Sequence, residues 1–427
     1  MAHICFIDSS STGLNALKTA QRLGHDVTLV IPEKVSVLSM MNVPSSKVDN
    51  FLGPKGRSLT VDDADLEATV LKVNRDRKID LVLTTSELAV MPTANLAKKL
   101  NTRYDSPEAL DKTVYKNRCR EILAQNNIRS TPFAIVSSFE EAINSLASIG
   151  YPAVLKPTRG VAKEASAILY NETDLRSFFD AYTAGQTTSP GIEEFLSAEF
   201  VIEAYIQGPL HSAEVLAVDG IVHILTTTQR ERAKHDQLIE TIASMPSMLT
   251  DQEISITQNY LQSIFNVLGL EIGIYHIEFI WSPSGPVLVE INPRMMGGIA
   301  PLLFEQLTGA DPYELMINAH LSAAEPKKWP QFKGNAGVMM AVGSPNGGKL
   351  PEDAAELVES VLADYEVLVN TLNVSANQVL PPFKGNFSTL GILALRSPDK
   401  TKSLEIASEL LLHLERVLQI EIANISL

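Results

Sequence analysis

The most constraining stretch of this sequence is a pair of apolar runs, Tyr275 to Trp281 and Pro286 to Ile291, separated by Ser282-Pro-Ser-Gly285. Two such runs around a turn read as a β-hairpin. Successive strand side chains point to opposite faces. His276 therefore shares a face with Glu278, and Glu290 with Asn292. A hairpin centred on Ser284 places Glu278 directly across from Glu290, since both are equidistant from it. Ile277, Phe279, Val289 and Ile291 then face the other way, into an apolar layer. Two carboxylates in register repel, and burial sharpens the penalty. A hard cation relieves it, because magnesium takes a few carboxylate oxygens together with the phosphates of its substrate. Asn292 adds a neutral oxygen, and Arg294 beyond the strand end offers a planar fork for phosphate or carboxylate. The competing reading is a solvated surface strand, which would not ordinarily choose like charges in register.

Other candidates follow from position. Gly297-Gly298 leads into a helical run, Ile299 to Leu307. Bare N–H groups near a helix start suit an anion, although a plain turn is the alternative. Lys156 ends the apolar run Tyr-Pro-Ala-Val-Leu-Lys-Pro, and Lys112 stands near a helix start. Both places let a compact charge meet a phosphate, and both also suit an ordinary surface lysine. Met295 and Met296 either line a substrate site or pack in a core.

The opening segment alternates strand and helix signals: Ile4 to Ile7, a loop, a helix from Leu14 to Leu23, Gly24, then Val27 to Ile31. This β-loop-α-β order favours a parallel sheet. The loop has one glycine, Gly13, so it lacks a dinucleotide fingerprint. Ser106-Pro107 opens a helix expected to run to about Asn126. Strands at Ala153 to Lys156, Ser166 to Tyr170 and Phe200 to Ile206, with a helix from Thr173 to Ala181, form a smaller unit. Thr183 to Gly191 reads as a loop. Strands follow at Ala213 to Val218 and Ile221 to Thr226, then a polar loop from Gln229 to Glu240 and a helix from Asp251 to Leu268. The last hundred or so residues read as a small α+β domain.

At 427 residues the chain is long enough for two to four domains. A net charge of −15 disfavours non-specific nucleic-acid binding. Cys5 and Cys119 have no zinc spacing and suit a reducing compartment. No basic, apolar leader or membrane-length run is present in this sequence, so a cytoplasmic protein without a membrane partner is expected.

Taken in order, these stretches resemble the ATP-grasp superfamily, and within it the carboxylate–amine ligases that include the bacterial L-amino acid ligases. The carrying segments are Ser-Pro-Glu-Ala-Leu-Asp-Lys112, Tyr-Pro-Ala-Val-Leu-Lys156-Pro, Ile-Glu203-Ala-Tyr-Ile-Gln-Gly208, His276-Ile-Glu278 and Val-Glu290-Ile-Asn292-Pro-Arg294-Met-Met-Gly-Gly298. The resemblance implies an α/β and α+β multidomain fold: a Rossmann-like N-terminal domain (1–105), an ATP-grasp domain (106–330, its lid about 130–206) and a small C-terminal α+β domain (331–427). It implies that Lys112 and Lys156 meet the phosphates of ATP, and that Glu203, Ala204, Tyr205 and Ile206 form the adenine hinge. Glu278, Glu290 and Asn292 would hold magnesium, or manganese in its place. Arg294 with the Gly297-Gly298 backbone would steady the acyl phosphate. Small carboxylate and amine substrates, amino acids by family, and a homodimer follow at the same level.

The sequence departs from the family in three places. The lid loop Thr158 to Ser166 carries one glycine, so phosphate covering falls to Arg159, Lys163 or Ser166. Leu210 stands where a ribose-holding glutamate is usual, with Glu214 as a partial substitute. Glu240-Thr-Ile-Ala243 lacks the histidine of many amino acid ligases. A carboxylase or formate-activating ligase is therefore an alternative, as is a sensor that has lost catalysis.

Overall fold

The computed structural model describes residues 1–160, 163–188, 196–322, 324–385 and 388–422. Val161 and Ala162 of the lid loop, and the end of the loop expected at Thr183 to Gly191, lie outside the described residues.

The first sheet is parallel and four-stranded. Its strands are β1 (His3–Ile7), β2 (Asp26–Pro32), β3 (Gly56–Val61) and β4 (Leu81–Leu83), in the order β3-β2-β1-β4. Both β1 and β2 are buried along their whole length, as expected of strands covered on both faces. A second sheet, ordered β5-β8-β6-β7, is antiparallel and made of β5 (Phe133–Val136), β6 (Ala153–Pro157), β7 (Ala167–Leu169) and β8 (Phe200–Ala204).

The central sheet is antiparallel and eight-stranded. From the edge inward it runs β13 (Gly285–Asn292), β12 (Gly273–Ser282), β9 (Leu210–Val218), β10 (Ile221–Arg232) and β11 (Glu240–Met245). It continues without interruption into β14 (Ala336–Val342), β18 (Gly391–Ser397) and β16 (Val367–Asn370). The C-terminal segment thus extends this sheet. A separate ribbon pairs β15 (Gly348–Lys349) with β17 (Val379–Leu380).

Helix Asp251–Leu268 covers the back of this sheet. Thr250 and Glu253 form a reciprocal capping box at its start, and Gly269 ends it at φ +76°. Its Leu261, Ile264, Phe265 and Leu268 share one core with Ile277, Phe279, Leu288 and Ile291. That core is the apolar layer expected from the hairpin pattern, although Val289 is only half-buried and is not part of it.

Two local departures from the sequence reading matter for the site. The helix expected over Ser106 to Asn126 is two, Pro107–Val114 and Lys116–Gln125, broken at Tyr115 in an extended conformation (φ −96°, ψ 106°). The Lys116 N–H donates to the Thr158 carbonyl at 2.8 Å, which ties the new helix start to the lid. The polar stretch from Gln229 is strand to Arg232, and β11 starts at Glu240. Its charges are matched in place: Arg230 to Glu240, Gln229 to Glu231 and Arg232 to the Tyr205 hydroxyl. Polar pairing conceals this strand from a reading based on apolar alternation.

Candidate active site

The hairpin sets the site. Glu278 pairs with Glu290, Ile277 with Ile291 and His276 with Asn292. The pairing does not arise from a turn centred on Ser284. Ser282 pairs with Gly285 and Phe279 with Leu288, and the register shifts beyond that point, leaving Val289 as a bulge. In a continuous register, with Val289 paired to Glu278, Glu290 would instead pair with Ile277 and face the apolar layer.

Three ionic groups surround these carboxylates. In the first, Lys116 Nζ lies 2.7 Å from Glu290. His276 Nε2 lies 3.4 Å from Glu278, and its Nδ1 lies 2.7 Å from Glu214, which also accepts from the Ser212 hydroxyl. Burial works against a charged His276, but the Glu214 and Glu278 carboxylates outweigh it and lift its pKa to about 9. Arg230 bonds Glu240 and approaches His276 Nε2 at 3.3 Å. Lys163 of the lid loop donates to Glu240 and to the Leu238 carbonyl. Burial alone would raise the Glu278 pKa; His276, Arg230 and Lys163 instead hold it well below the usual carboxylate range.

The second group lies beneath the hairpin. Arg120 donates to Glu203 at 2.7 Å and to the Val289 carbonyl at 2.9 Å. Lys156 Nζ lies 2.9 Å from Glu203 and 3.4 Å from the same carbonyl. All three side chains are buried. Burial opposes ionisation of Glu203, but the two cations overcome it and hold its pKa at about 2. Burial lowers the Lys156 pKa against the pull of Glu203.

The third group joins the N-terminal unit to the site. Arg294 places its Nε and one terminal nitrogen 3.2 and 2.6 Å from Glu87, which follows β4. Gly297 and Gly298 precede helix Ala300–Thr308; Gly298 has φ +59°. A cleft opens between Glu87, Met91, Val114, Arg159, Gly160 and the Glu290–Pro293 strand end.

The expected residues do not all converge. Glu278, Glu290 and Asn292 come together on the hairpin, Glu290 and Asn292 line the cleft, and Arg294 lies close enough to feel the charge of Glu290. Lys112 does not join them: its Nζ caps the Leu268 carbonyl at 2.9 Å, and Lys116, past the break at Tyr115, faces Glu290 in its stead. Glu214 is 1% exposed; its Oε1 is taken by His276 and Ser212, while its buried Oε2 has no hydrogen-bond partner among the described residues. The Glu203 carboxylate is likewise taken by Arg120 and Lys156. In the hinge, the Ala204 and Tyr205 N–H groups bond Pro132 and Pro152. The Ile206 N–H has no hydrogen bond among the described residues. Ser166 donates to the Glu164 carbonyl within the lid. Met295 and Met296 pack in the core. Glu87, Lys116, Arg120 and Arg230 are not singled out by the sequence; Lys116 and Arg120 stand one helical turn apart on the same helix, a spacing that by itself does not separate them from surface cations.

Among the described residues no cluster of three or more His, Cys, Asp or Glu side chains has metal-binding geometry. A divalent ion would therefore rest on two carboxylates and Asn292 and draw its remaining oxygens from phosphate, as magnesium commonly does. The donor set fits that ion. No described helix is long and apolar enough to cross a membrane.

Residues 17–102 match the ATP-grasp N-terminal domain and residues 149–301 the ATP-grasp domain. The chain is 26% identical over 267 residues to an uncharacterized protein, y4rH, of Sinorhizobium fredii, covering 62% of this chain but only 53% of that protein. It is 21% identical over 310 residues to the formate-dependent phosphoribosylglycinamide formyltransferase of Aliivibrio fischeri, covering 71% of this chain and 73% of that one. The L-amino acid ligase structure from Bacillus licheniformis superposes with a TM-score of 0.75 at 17% identity, covering 99% of this chain and 98% of that one. With its N-terminal and central segments both matched by ATP-grasp domains and its length laid over that fold, the chain belongs to the ATP-grasp superfamily.

Proposed function

We propose that the chain is an ATP-dependent carboxylate–amine ligase that joins small amino-acid-like substrates and releases ADP and phosphate. The observation that carries this reading is the facing pair Glu278–Glu290 with Asn292 beside it, ringed by Lys116, Arg294 and the cleft. A protein that only bound nucleotide would have no need to hold two carboxylates in register.

In the first step a substrate carboxylate oxygen attacks the γ-phosphorus of ATP, and the bond to the ADP oxygen breaks. Glu278, Glu290 and Asn292 would hold magnesium, which supplies charge neutralisation across the phosphates. Lys116 orients the phosphate chain from the helix start, and the Ile206 N–H is open to the adenine edge. In the second step an amine nitrogen attacks the acyl carbon, phosphate leaves, and the nitrogen gives up a proton. Arg294 and the Gly297-Gly298 N–H groups stabilise the oxyanion that develops there. Arg159 and Lys163 close the lid side, which excludes water from the acyl phosphate.

The decisive experiment is magnesium-dependent phosphate release from ATP with the twenty amino acids, singly and in pairs. Release that requires particular amino acids and yields ADP supports the ligase. Release driven by formate or bicarbonate instead would favour the second reading, an acid-activating ligase of another kind, which the formyltransferase relative motivates. Binding of ATP with no release under any condition would refute both.

A further inference from the structure

The bulge at Val289 decides which face Glu290 occupies, and a bulge is an unpaired residue that something must hold. Here its carbonyl accepts from two buried cations, Arg120 at 2.9 Å and Lys156 at 3.4 Å. Arg120 is 2% exposed and is fixed in turn by Glu203 at 2.7 Å. One helical turn earlier on the same helix, Lys116 meets the carboxylate of Glu290, the residue after the bulge. Helix Lys116–Gln125 therefore grips the bulge at two points, its backbone through Arg120 and its following side chain through Lys116.

We infer that Arg120 is a positioning residue which, through the Val289 carbonyl, fixes the bulge that turns Glu290 toward Glu278. The inference rests on the reading of Glu278 and Glu290 as the seat of a divalent cation. In a hairpin that kept the turn's own register, Glu278 would pair with Val289, and Glu290 would point with Ile277 into the core under helix Asp251–Leu268. Restoring the acid pair requires one extra residue on β13, and the guanidinium holds that residue's carbonyl. A planar fork can bond Glu203 and the carbonyl together; an ammonium at the same place can serve one fully and the other poorly. Removing Val289 gives the same pairing by another route, since a regular hairpin then sets Glu290 across from Glu278 with no bulge to hold.

The full-length chain tests this by two binding measurements that need no turnover: ADP affinity in a chelator, and Mn2+ affinity of the ADP complex followed by electron paramagnetic resonance. Arg120→Met should leave ADP affinity in chelator within about twofold of the parent and weaken Mn2+ by about tenfold or more, the usual cost of losing a group that orients a metal ligand. Arg120→Lys should recover part of that loss. Deleting Val289 in the Arg120→Met background should restore Mn2+ affinity, which a merely destabilising role for Arg120 would not allow. If Arg120→Met fails to fold, the Val289 deletion alone carries the test: it should bind Mn2+ as the parent does and tolerate Arg120→Lys without further loss. Equal weakening of ADP with and without metal would place Arg120 at the hinge through Glu203 and overturn the inference. Unchanged Mn2+ affinity in Arg120→Met, or its loss on deleting Val289, would overturn it as well. A parent chain that binds no Mn2+ with ADP would overturn the reading of the site itself, and this inference with it.

Discussion

At the scale of single residues, the neighbouring lysines give the sharpest contrast. Lys116 is half-buried against Glu290, whereas Lys112 caps the C-terminal carbonyl of Leu268. Lys116→Met should weaken ATP binding or turnover by about tenfold or more, since it removes a phosphate-facing charge and leaves Glu290 without its partner. Lys112→Met should cost about 0.3–1 kcal/mol of stability, the worth of a cation at a helix C-terminus, with nucleotide affinity unchanged. Equal effects of the two changes on ATP would mean that the break at Tyr115 does not select between them. Glu290→Gln should lower phosphate release by about a hundredfold or more, near 3 kcal/mol, with the circular dichroism of the parent; near-normal release would end the metal assignment. Sequence alone preferred Lys112 because Ser106-Pro107 marks its helix start clearly. Nothing at Tyr115 announces a second start: no proline or glycine stands there, and the break is fixed by a contact with Thr158, more than forty residues away. Arg120 was hidden for a related reason, since a buried arginine and a surface arginine on a helix look alike until Glu203 and Val289 are placed around it.

At the scale of elements, the hairpin shows how a pattern can be legible when its geometry is not. Alternation placed His276, Glu278, Glu290 and Asn292 on one face, because strand period is a local property. The turn position and the bulge are not local; they depend on the carbonyl of Val289 finding Arg120 and Lys156. Helix Asp251–Leu268 was readable to its boundaries, because Thr250, Glu253 and Gly269 are chemical signals at its two ends. Its role is to back the hairpin with Leu261, Phe265 and Leu268 rather than to meet a substrate. Thr250→Ala should therefore cost about 1 kcal/mol in chemical denaturation and leave the affinity for ATP as it was. A change in affinity comparable to the loss in stability would show that the helix transmits more to the site than packing.

At the scale of the whole molecule, the site depends on how the N-terminal unit is joined to the central sheet, because Glu87 comes from one and Arg294 from the other. The joint is Asp105. It is 5% exposed, accepts the N–H groups of Glu271 and Ile272 at 2.9 and 3.1 Å, and is bonded by the Tyr275 hydroxyl. Beside it Tyr104 stacks on His320 at 5.5 Å. The family resemblance puts the end of the first domain at this residue, but composition does not show an aspartate pinned inside. Burial pushes its pKa up to about 7, against the pull of the two N–H groups. The folded chain therefore holds the proton more tightly than the unfolded chain does. This contribution to stability is fully present below about pH 4, the unfolded value, and is lost as pH rises through about 7. Carboxylates such as Glu203, held low in the folded state, act in the opposite direction at more acid pH, so the effect must be read as a difference. Asp105→Asn keeps an acceptor for the backbone but does not titrate. The stability of the parent relative to Asp105→Asn should fall by a few kcal/mol between pH 4 and pH 7, at a slope of up to about 1.4 kcal/mol for each pH unit, in urea denaturation at fixed ionic strength. A difference that stays constant across that window would mean that Asp105 is ionised at the joint throughout, with Tyr275 and the two N–H groups compensating fully for its burial.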